Sequence, residues 1–440
     1  MFQTFKNAWK IDDLRKKIIF TLFILVIFRF GAAIVVPFIN GATLQATMNT
    51  EGTIFGFFNM MTGGSFSNAT LFALGVTPYI NASIIIQLLQ VVIPALERWS
   101  KEGEEGRRKA NLLTRYSSIA ISLVLSYVYY LLVKRQGALI YTEGFPGIFS
   151  AIVIIASFTA GAVLLMWLGE QIDVKGIGNG ISLIIFAGIL SNLATVFPQL
   201  ISYFKQAAGT LEQGGALLPA RPANYVLLPL ILLMFAAMFV LVIVVTAAER
   251  RIPVQYAKRV VGRKMYGGQS TNIPIKVNMT GVLPVIFASA FLSVPGTIKD
   301  FFGITTGFWG TFLGWFSTNN WGYAVVYAVL IMGFNFFYVA VQYNPVSIAN
   351  DLRKNSGTIP GIRPGKPTSD FIARVVTKIT LIGGIFLVLV ATLPIIVTQL
   401  THIQIALGGT SVLILVGVAL EISNTLESYM LMRHHKGFLE

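Results

Sequence analysis

"GGSFSNATLFALGVTPYINASIIIQLL", residues 63–89, is apolar and uncharged like a membrane span, yet Gly63, Gly64, Ser65, Ser67 and Asn68 open it and Gly75, Thr77, Pro78 and Asn81 interrupt it. Proline lacks an N–H and suits the first turn of a helix, so Pro78 reads as a new helix start. The run before it, from about residue 62 to 74, is then too short to span a bilayer and too apolar to lie in water. Irregular backbone at membrane depth is tolerated only where protein surrounds it or where it borders a watery cavity. The stretch therefore implies a cavity.

The same break occurs twice. "GVTPYINAS", residues 75–83, and "GVLPVIFAS", residues 281–289, agree at six of nine positions, with Gly281 and Pro284 in the places of Gly75 and Pro78. Paired Gly/Pro-interrupted segments at corresponding places in two halves are what an inverted repeat leaves in sequence, and they point to a functional midline. On these nine residues alone, chance likeness between two apolar helix starts stays open as the alternative.

Around these copies the chain reads as an all-α integral membrane protein. Of its 440 residues 55% are hydrophobic and 12% charged, more apolar surface than one soluble core needs. Apolar runs of roughly 20 residues, the length that crosses the hydrocarbon as a helix, recur ten times. They lie near 17–36, 76–96, 112–133, 148–169, 179–203, 225–247, 277–296, 322–343, 371–397 and 408–430. The broken stretches open the second and seventh of these, corresponding positions in two five-helix halves, 1–203 and 225–440, separated by the Gly/Ala/Pro-rich loop 204–224. The first run lacks an A-x-A site and is followed by Pro37, so it reads as a retained span and not a cleaved leader. Cysteine is absent and His402, His434 and His435 have no ligand spacing, so neither disulfides nor a metal or other cofactor are expected.

Net charge is +15, and its placement orients the chain. With the N-terminus in the cytoplasm, 27 of the 33 basic residues fall on that side, which places both termini there. Arg29 lies inside the first span and reads as snorkelling or pairing within the helix packing, with no role assigned. Two basic stretches are unusually long: 249–276 and 344–370. In the first, Val254, Tyr256, Val260, Val261 and Tyr266 interleave with Arg250, Arg251, Lys258, Arg259, Arg263 and Lys264, a pattern suited to a protruding, partly ordered surface that docks something acidic. In the second, Arg363 lies between "PGI" and "PG", on a stiffened turn. Orientation and solvation of the loop tips account for the average lysine there, and the interleaved pattern and the stiffened arginine exceed what orientation requires.

Ile80 and Ile84 are four apart on one helix face, as are Ile181 and Ile185, and Ile286 takes the repeat position of Ile80. Isoleucine is common in any membrane helix, so this spacing leaves ordinary lipid or helix contact open.

Read together, "GVTPYINASIIIQLL", "GIGNGISLIIFAGI" (176–189), "IPIKVNMTGVLPVIFAS" (273–289), "PGIRPGKPTSDFI" (360–372) and "GGTSVLILV" (408–416) resemble the SecY family, the central subunit of the bacterial protein-conducting channel, along the whole chain. The resemblance implies ten helices in two pseudo-symmetric inverted halves, hinged between the fifth and sixth and parting sideways between the second and seventh. It implies a constricting ring of Ile80, Ile84, Ile181, Ile185, Ile286 and Ile414. It also implies a short re-entrant plug helix at about 62–74, with Thr62, Gly63, Gly64, Ser65, Phe66, Ser67, Asn68, Ala69, Thr70 and Leu71 at its heart. Expected partners are SecE-type and SecG-type small membrane subunits, the SecA motor ATPase or a translating ribosome on the basic loops, signal peptides and precursor polypeptides in the pore, and the lipid of the bacterial cytoplasmic membrane. The docking residues that the resemblance implies are Arg363, Arg250 and Arg251, with the other basic residues of the first stretch beside them.

Other classes fit less well. A secondary transporter shares broken spans and inverted repeats, but needs coupling groups at the midplane, and here the spans hold Arg29 and, near the inner end of the tenth, Glu421, with no central Asp, Glu or His. An enzyme is not expected: there is no G-x-S-x-G, no H-E-x-x-H and no intramembrane carboxylate pair, and without a Walker A lysine any nucleotide is hydrolysed by a partner. A purely anchoring role is the third alternative, separable by a translocation assay.

Overall fold

The computed structural model describes residues 6, 8–47, 59, 61–210, 212–213, 216–217, 221–256, 259–261, 264–266, 270–302, 307–316, 320–401, 403 and 408–436. Every expected span contains a helix, although 32–36 of the first and 277–282 of the seventh are not helical. In chain order the helices are α1 (Asp12–Gly31), α2 (Gly41–Thr47), α3 (Thr77–Val92), α4 (Pro94–Lys101), α5 (Glu104–Arg135), α6 (Gly144–Lys175), α7 (Gly180–Ala207), α8 (Asn224–Ala247), α9 (Leu283–Phe302), α10 (Gly307–Gly314), α11 (Trp321–Gln342), α12 (Pro345–Lys354), α13 (Lys366–Thr401) and α14 (Gly409–Lys436).

Among the described residues, seven helices are long and apolar enough to cross a membrane: α5, α6, α7, α8, α11 (running on into α12), α13 and α14. The other three expected spans differ for physical reasons. Helix α1 begins five residues earlier than its apolar run, because Asp12 and Asp13 favour the positive end of the helix dipole in its first turn. Helix α3 has 16 residues, a rise of about 24 Å, and ends where extended Ile93 leads into Pro94 of α4. In helix α9 the apolar run described is Leu283–Leu292, shorter than a span.

Helix packing divides into two groups with shared contacts. Helix α5 packs on α3 and α6, while α6 also meets α1 and α7; beyond α7, α11 packs on α9 and α13, and α14 on α8 and α13. Helix α7 touches α8 and α14 and so joins the groups. One apolar core, around Leu228, Val285, Leu292, Ile331 and Leu387, belongs to the second group; another, around Leu44, Phe66, Tyr129 and Phe158, to the first. A third is shared.

Polar connections carry the strands. A three-stranded antiparallel sheet in the order β6–β3–β7 is built from β3 (Glu249–Tyr256), β6 (Ser270–Lys276) and β7 (Gly357–Thr358), and β4 (Arg259–Val261) pairs with β5 (Lys264–Tyr266). In the 204–224 connection, read from sequence as loop, β1 (Glu212–Gln213) and β2 (Ala216–Leu217) form a two-residue hairpin pair.

Candidate functional site

The two repeat copies fold alike. Gly75 (φ 56°) and Gly281 (φ 63°) both adopt the left-handed conformation that glycine enters without steric cost, and each is followed two residues later by a helix start with proline in its first turn. The amide of Ile80 donates to the Val76 carbonyl (3.0 Å) and that of Ile286 to the Val282 carbonyl (3.2 Å), the same first-turn bond in both copies. Matching sequence has produced matching local geometry.

Ile80 and Ile286 converge on the shared core. There they meet Ile181, Ile185 and Ile414, so five of the six isoleucines expected in the ring pack in one apolar cluster drawn from α3, α7, α9 and α14. Ile84 lies one turn further along α3, half-buried and outside that cluster.

Local structure explains how two of these isoleucines, Ile181 and Ile414, are seated. Asn179 caps α7 by accepting from the Ser182 amide (3.1 Å), while Asp173 of α6 accepts from the Gly180 amide (2.6 Å). A Cβ on Gly169 would lie 2.6 Å from Ile181 Cδ1, so the isoleucine is seated where α6 has no side chain. The start of α14 is set in the same way: a Cβ on Gly409 would lie 1.9 Å from the Val390 carbonyl oxygen of α13. Ile414 follows one turn later and is buried.

Residues 62–76, expected to contain a short helix, are a chain of turns folded back among the helices. Positive φ angles at Gly63 (66°), Gly64 (85°) and Ala69 (46°) break any continuous α-helix there. The segment satisfies its backbone locally and against α1's exit: Thr70 N–H donates to the Ser65 carbonyl (3.1 Å), Val36 N–H to Ala69 (3.0 Å), and Leu71 N–H to Ile34 (2.8 Å). Asn59 accepts from the Ser67 amide (2.9 Å), and the Tyr129 hydroxyl donates to the Phe66 carbonyl beneath an edge-to-face Phe66–Tyr129 pair. Thr62, Ser65, Ser67 and Thr70 are buried, and the Ser65 hydroxyl finds no partner among the described residues.

Three glycines cradle this segment. A Cβ on Gly161 of α6 would stand 2.0 Å from the Leu71 carbonyl oxygen, one on Gly188 of α7 2.3 Å from that of Met61, and one on Gly31 of α1 2.1 Å from the Phe72 ring. Phe72 also stacks on Phe28 at 6.0 Å. Small residues let backbones approach closely inside membrane proteins. Met61, Leu71, Phe72 and Val76 belong to the same apolar cluster as the five isoleucines, so the turn segment 62–76 and those side chains are packed against each other. Arg29 of α1 donates to the Gly63 carbonyl (3.2 Å), which gives that intramembrane charge a contact with the plug that its sequence position did not reveal.

The basic stretches build one platform. Strand β3 pairs with β6 from Glu249↔Lys276 to Gln255↔Ser270, and through Gln255↔Thr358 and Tyr256↔Gly357 with β7 from the second stretch. Pro253 faces Asn272 where β7 does not reach, so its missing N–H interrupts no second ladder. Ile252, Val254 and Ile275 point into a small core with Leu352, Ile372 and Val376, and this ties the sheet to α12 and α13. Arg250 and Arg251 are exposed on β3, with Arg251 paired to Glu249 at 2.7 Å. Arg363 is exposed between Gly361 (φ 82°) and Gly365 (φ 103°), its carbonyl held by the Thr368 hydroxyl at 2.8 Å. Arg259 and Lys264 lie on the β4–β5 hairpin, while Lys258 and Arg263 fall outside the described residues.

Sequence reasoning missed the glycine cradle, Tyr129, the platform sheet and a buried polar staple. In that staple the Thr280 hydroxyl donates to Asn335 Oδ1 (2.8 Å) and Asn335 Nδ2 donates to the Thr380 carbonyl (2.8 Å). An asparagine in the middle of an apolar span was its one visible signal.

The SecY family profile matches residues 70–423. The translocase subunit SecY of Halalkalibacterium halodurans is 42% identical, with all of both chains covered. The chain belongs to the SecY family. This SecY-family chain is a multi-pass membrane protein that forms a protein-conducting translocation channel; the family is a channel and not an enzyme. Its fold matches a solved structure described as that of a protein conducting channel, with a TM-score of 0.64, 22% identity and coverage of 94% of this chain and 92% of that one. It also matches Sec61 in the canine ribosome-channel complex from the endoplasmic reticulum, with a TM-score of 0.60 at 21% identity and the same coverage of 94% and 92%.

Proposed function

We propose that the chain passes unfolded polypeptides through a constriction formed by Ile80, Ile84, Ile181, Ile185, Ile286 and Ile414, sealed at rest by the plug at 62–74. The observation that carries this reading is the single apolar cluster in which five of those isoleucines meet the plug's Leu71 and Phe72. A narrow apolar ring gates by dewetting, because an ion there would shed water with no ligand in exchange. A polypeptide, by contrast, can be gripped without sequence-specific hydrogen bonds.

The halves 1–203 and 225–440 hinge at the 204–224 connection and part between α3 and α9, which lets an apolar segment leave sideways into lipid. The matching glycine-led starts of those two helices support this, as does the Tyr338–Gln87 hydrogen bond (3.3 Å), a polar contact between α11 and α3 that opening would break. Each buried CH₂ favours lipid over water by about 0.8 kcal/mol, so a signal peptide exits where a polar segment continues.

The platform carrying Arg250, Arg251, Arg259, Lys264 and Arg363, on the cytoplasmic face together with both termini, docks a SecA-type motor or a translating ribosome. Exposed guanidinium groups suit ribosomal phosphate or acidic protein surface, and a fold neighbour is a channel in a ribosome complex. SecE-type and SecG-type subunits complete the assembly in the bacterial cytoplasmic membrane. Photo-crosslinkers along a stalled secretory precursor test the reading. Adducts to the neighbourhoods of Ile84 and Ile286 are expected, and a stalled precursor that labels neither overturns it.

A further inference from the structure

Helix α10 and the two residues after it, "GFWGTFLGWF" at 307–316, hold no charged group. Their large apolar side chains face two ways. Leu313 is buried and Phe316 packs against the core of the second helix group, whereas Phe308 (77%), Trp309 (63%), Phe312 (47%) and Trp315 (59%) face outward. The outward rings support one another: Phe308 stacks on Phe312 at 6.3 Å, and Trp309 meets Phe308 edge-on at 5.9 Å and Phe312 at 6.2 Å. This is a fixed, wholly uncharged aromatic face.

That face continues the surface of a membrane-crossing helix. Trp315 packs on Gly322, where a Cβ would stand 3.0 Å from its ring, and so abuts the first turn of α11. From there the exposed residues Trp321, Val325 and Val329 descend α11 at four-residue spacing, a lipid-facing stripe on a helix apolar enough to span. Helix α10 follows the end of α9 remote from Lys276; with α9 crossing the membrane, as the proposed function has it, that end lies on the side opposite the basic platform. Tryptophan and phenylalanine without charge, at the mouth of spanning helices, are the chemistry of the headgroup–acyl boundary.

We propose that α10 lies in the plane of the membrane on the side opposite the platform, with Phe308, Trp309 and Phe312 seated in the lipid interface. The far end of α9 is thereby fastened to the bilayer surface; its consequence for gating rests on the reading of α9 as a gate helix, whereas the lipid seat does not.

The chain has no cysteine, so Trp309→Cys and Phe312→Cys can each carry the only nitroxide in the full chain, one copy per nanodisc. Spectra should show contact with oxygen dominating over a water-soluble nickel chelate, at a depth of about 5–10 Å below the phosphates. A label at Arg363→Cys should show the reverse. Chelate-dominated labels at 309 and 312 overturn the proposal, and so does shielding from both reagents, which means a protein face. Trp309→Phe keeps the ring and guards against a misfolded label. Lipids brominated near the headgroup should quench a smaller fraction of its fluorescence than of the wild type, and an unchanged fraction contradicts the seat.

Discussion

The two copies of the repeat begin identically and are attached differently. Before Gly75 the chain is a buried coil of turns pressed against glycines of α1, α6 and α7 and joined to the ring's apolar cluster. Before Gly281 it is a polar tether. Val277 N–H donates to the Ala248 carbonyl (2.9 Å), and Thr280 is stapled through Asn335 to Thr380 immediately after strand β6. One helix start is thus led by a buried turn segment, the proposed seal, and the other by a fastening to the platform. The contrast teaches that a shared local device, a left-handed glycine and a first-turn proline, leaves function to what precedes it. Changes on the first side should alter conductance, and changes on the second should alter driven transport or stability.

The largest effect is expected at Arg363. Reversing an anchoring arginine costs roughly 2 kcal/mol or more in partner affinity, about 30-fold. Arg363→Glu should therefore abolish partner-driven translocation into proteoliposomes while resting conductance stays at the wild-type level; a leak in this variant would blur the contrast. Gly188→Ala comes next. Its Cβ meets the Met61 carbonyl oxygen at 2.3 Å, backbone that cannot rotate away, and overpacking of this kind costs about 1–3 kcal/mol. Planar-bilayer recordings should show a higher resting conductance with normal insertion.

Asn335→Ala sharpens the other side. It leaves the Thr280 hydroxyl and Thr380 carbonyl without their partner, at a cost of roughly 1–3 kcal/mol. The melting temperature of the purified chain should fall while the seal holds, and a leak without loss of stability would reassign the staple to the gate. Arg29→Leu should have the smallest effect. It removes one exposed hydrogen bond to Gly63, about 0.5–1.5 kcal/mol, so resting conductance should rise a few-fold at most.

The helices were legible because apolar runs of spanning length leave little choice of structure, and the repeat was legible because identical residues make identical turns. Ring residues could be named from the resemblance, but their meeting could not be read from spacing, since Ile80 and Ile414 are distant in sequence and share the cluster only through packing. The platform sheet stayed hidden. Its alternation is confined to Ile252 with Val254 and Ile273 with Ile275, is interrupted by Pro253 and Pro274, and is paired by a strand a hundred residues away. The plug's seat was invisible for a different reason: the contacts that fix it join glycine to backbone carbonyl, and a carbonyl carries no residue identity. The helix expected at 62–74 came from the resemblance, and the positive φ at Ala69 that rules it out is written in no propensity.

Conductance of the chain lacking residues 65–70, reconstituted in planar bilayers after its insertion has been verified, tests the seal most directly. That deletion removes Phe66, Ala69 and Thr70, which anchor the plug to Tyr129 and to the backbone at Val35 and Val36. An inserted channel that leaks small ions at rest is the predicted result. An inserted channel that stays as tight as the wild type would contradict the account and return residues 62–76 to ordinary packing.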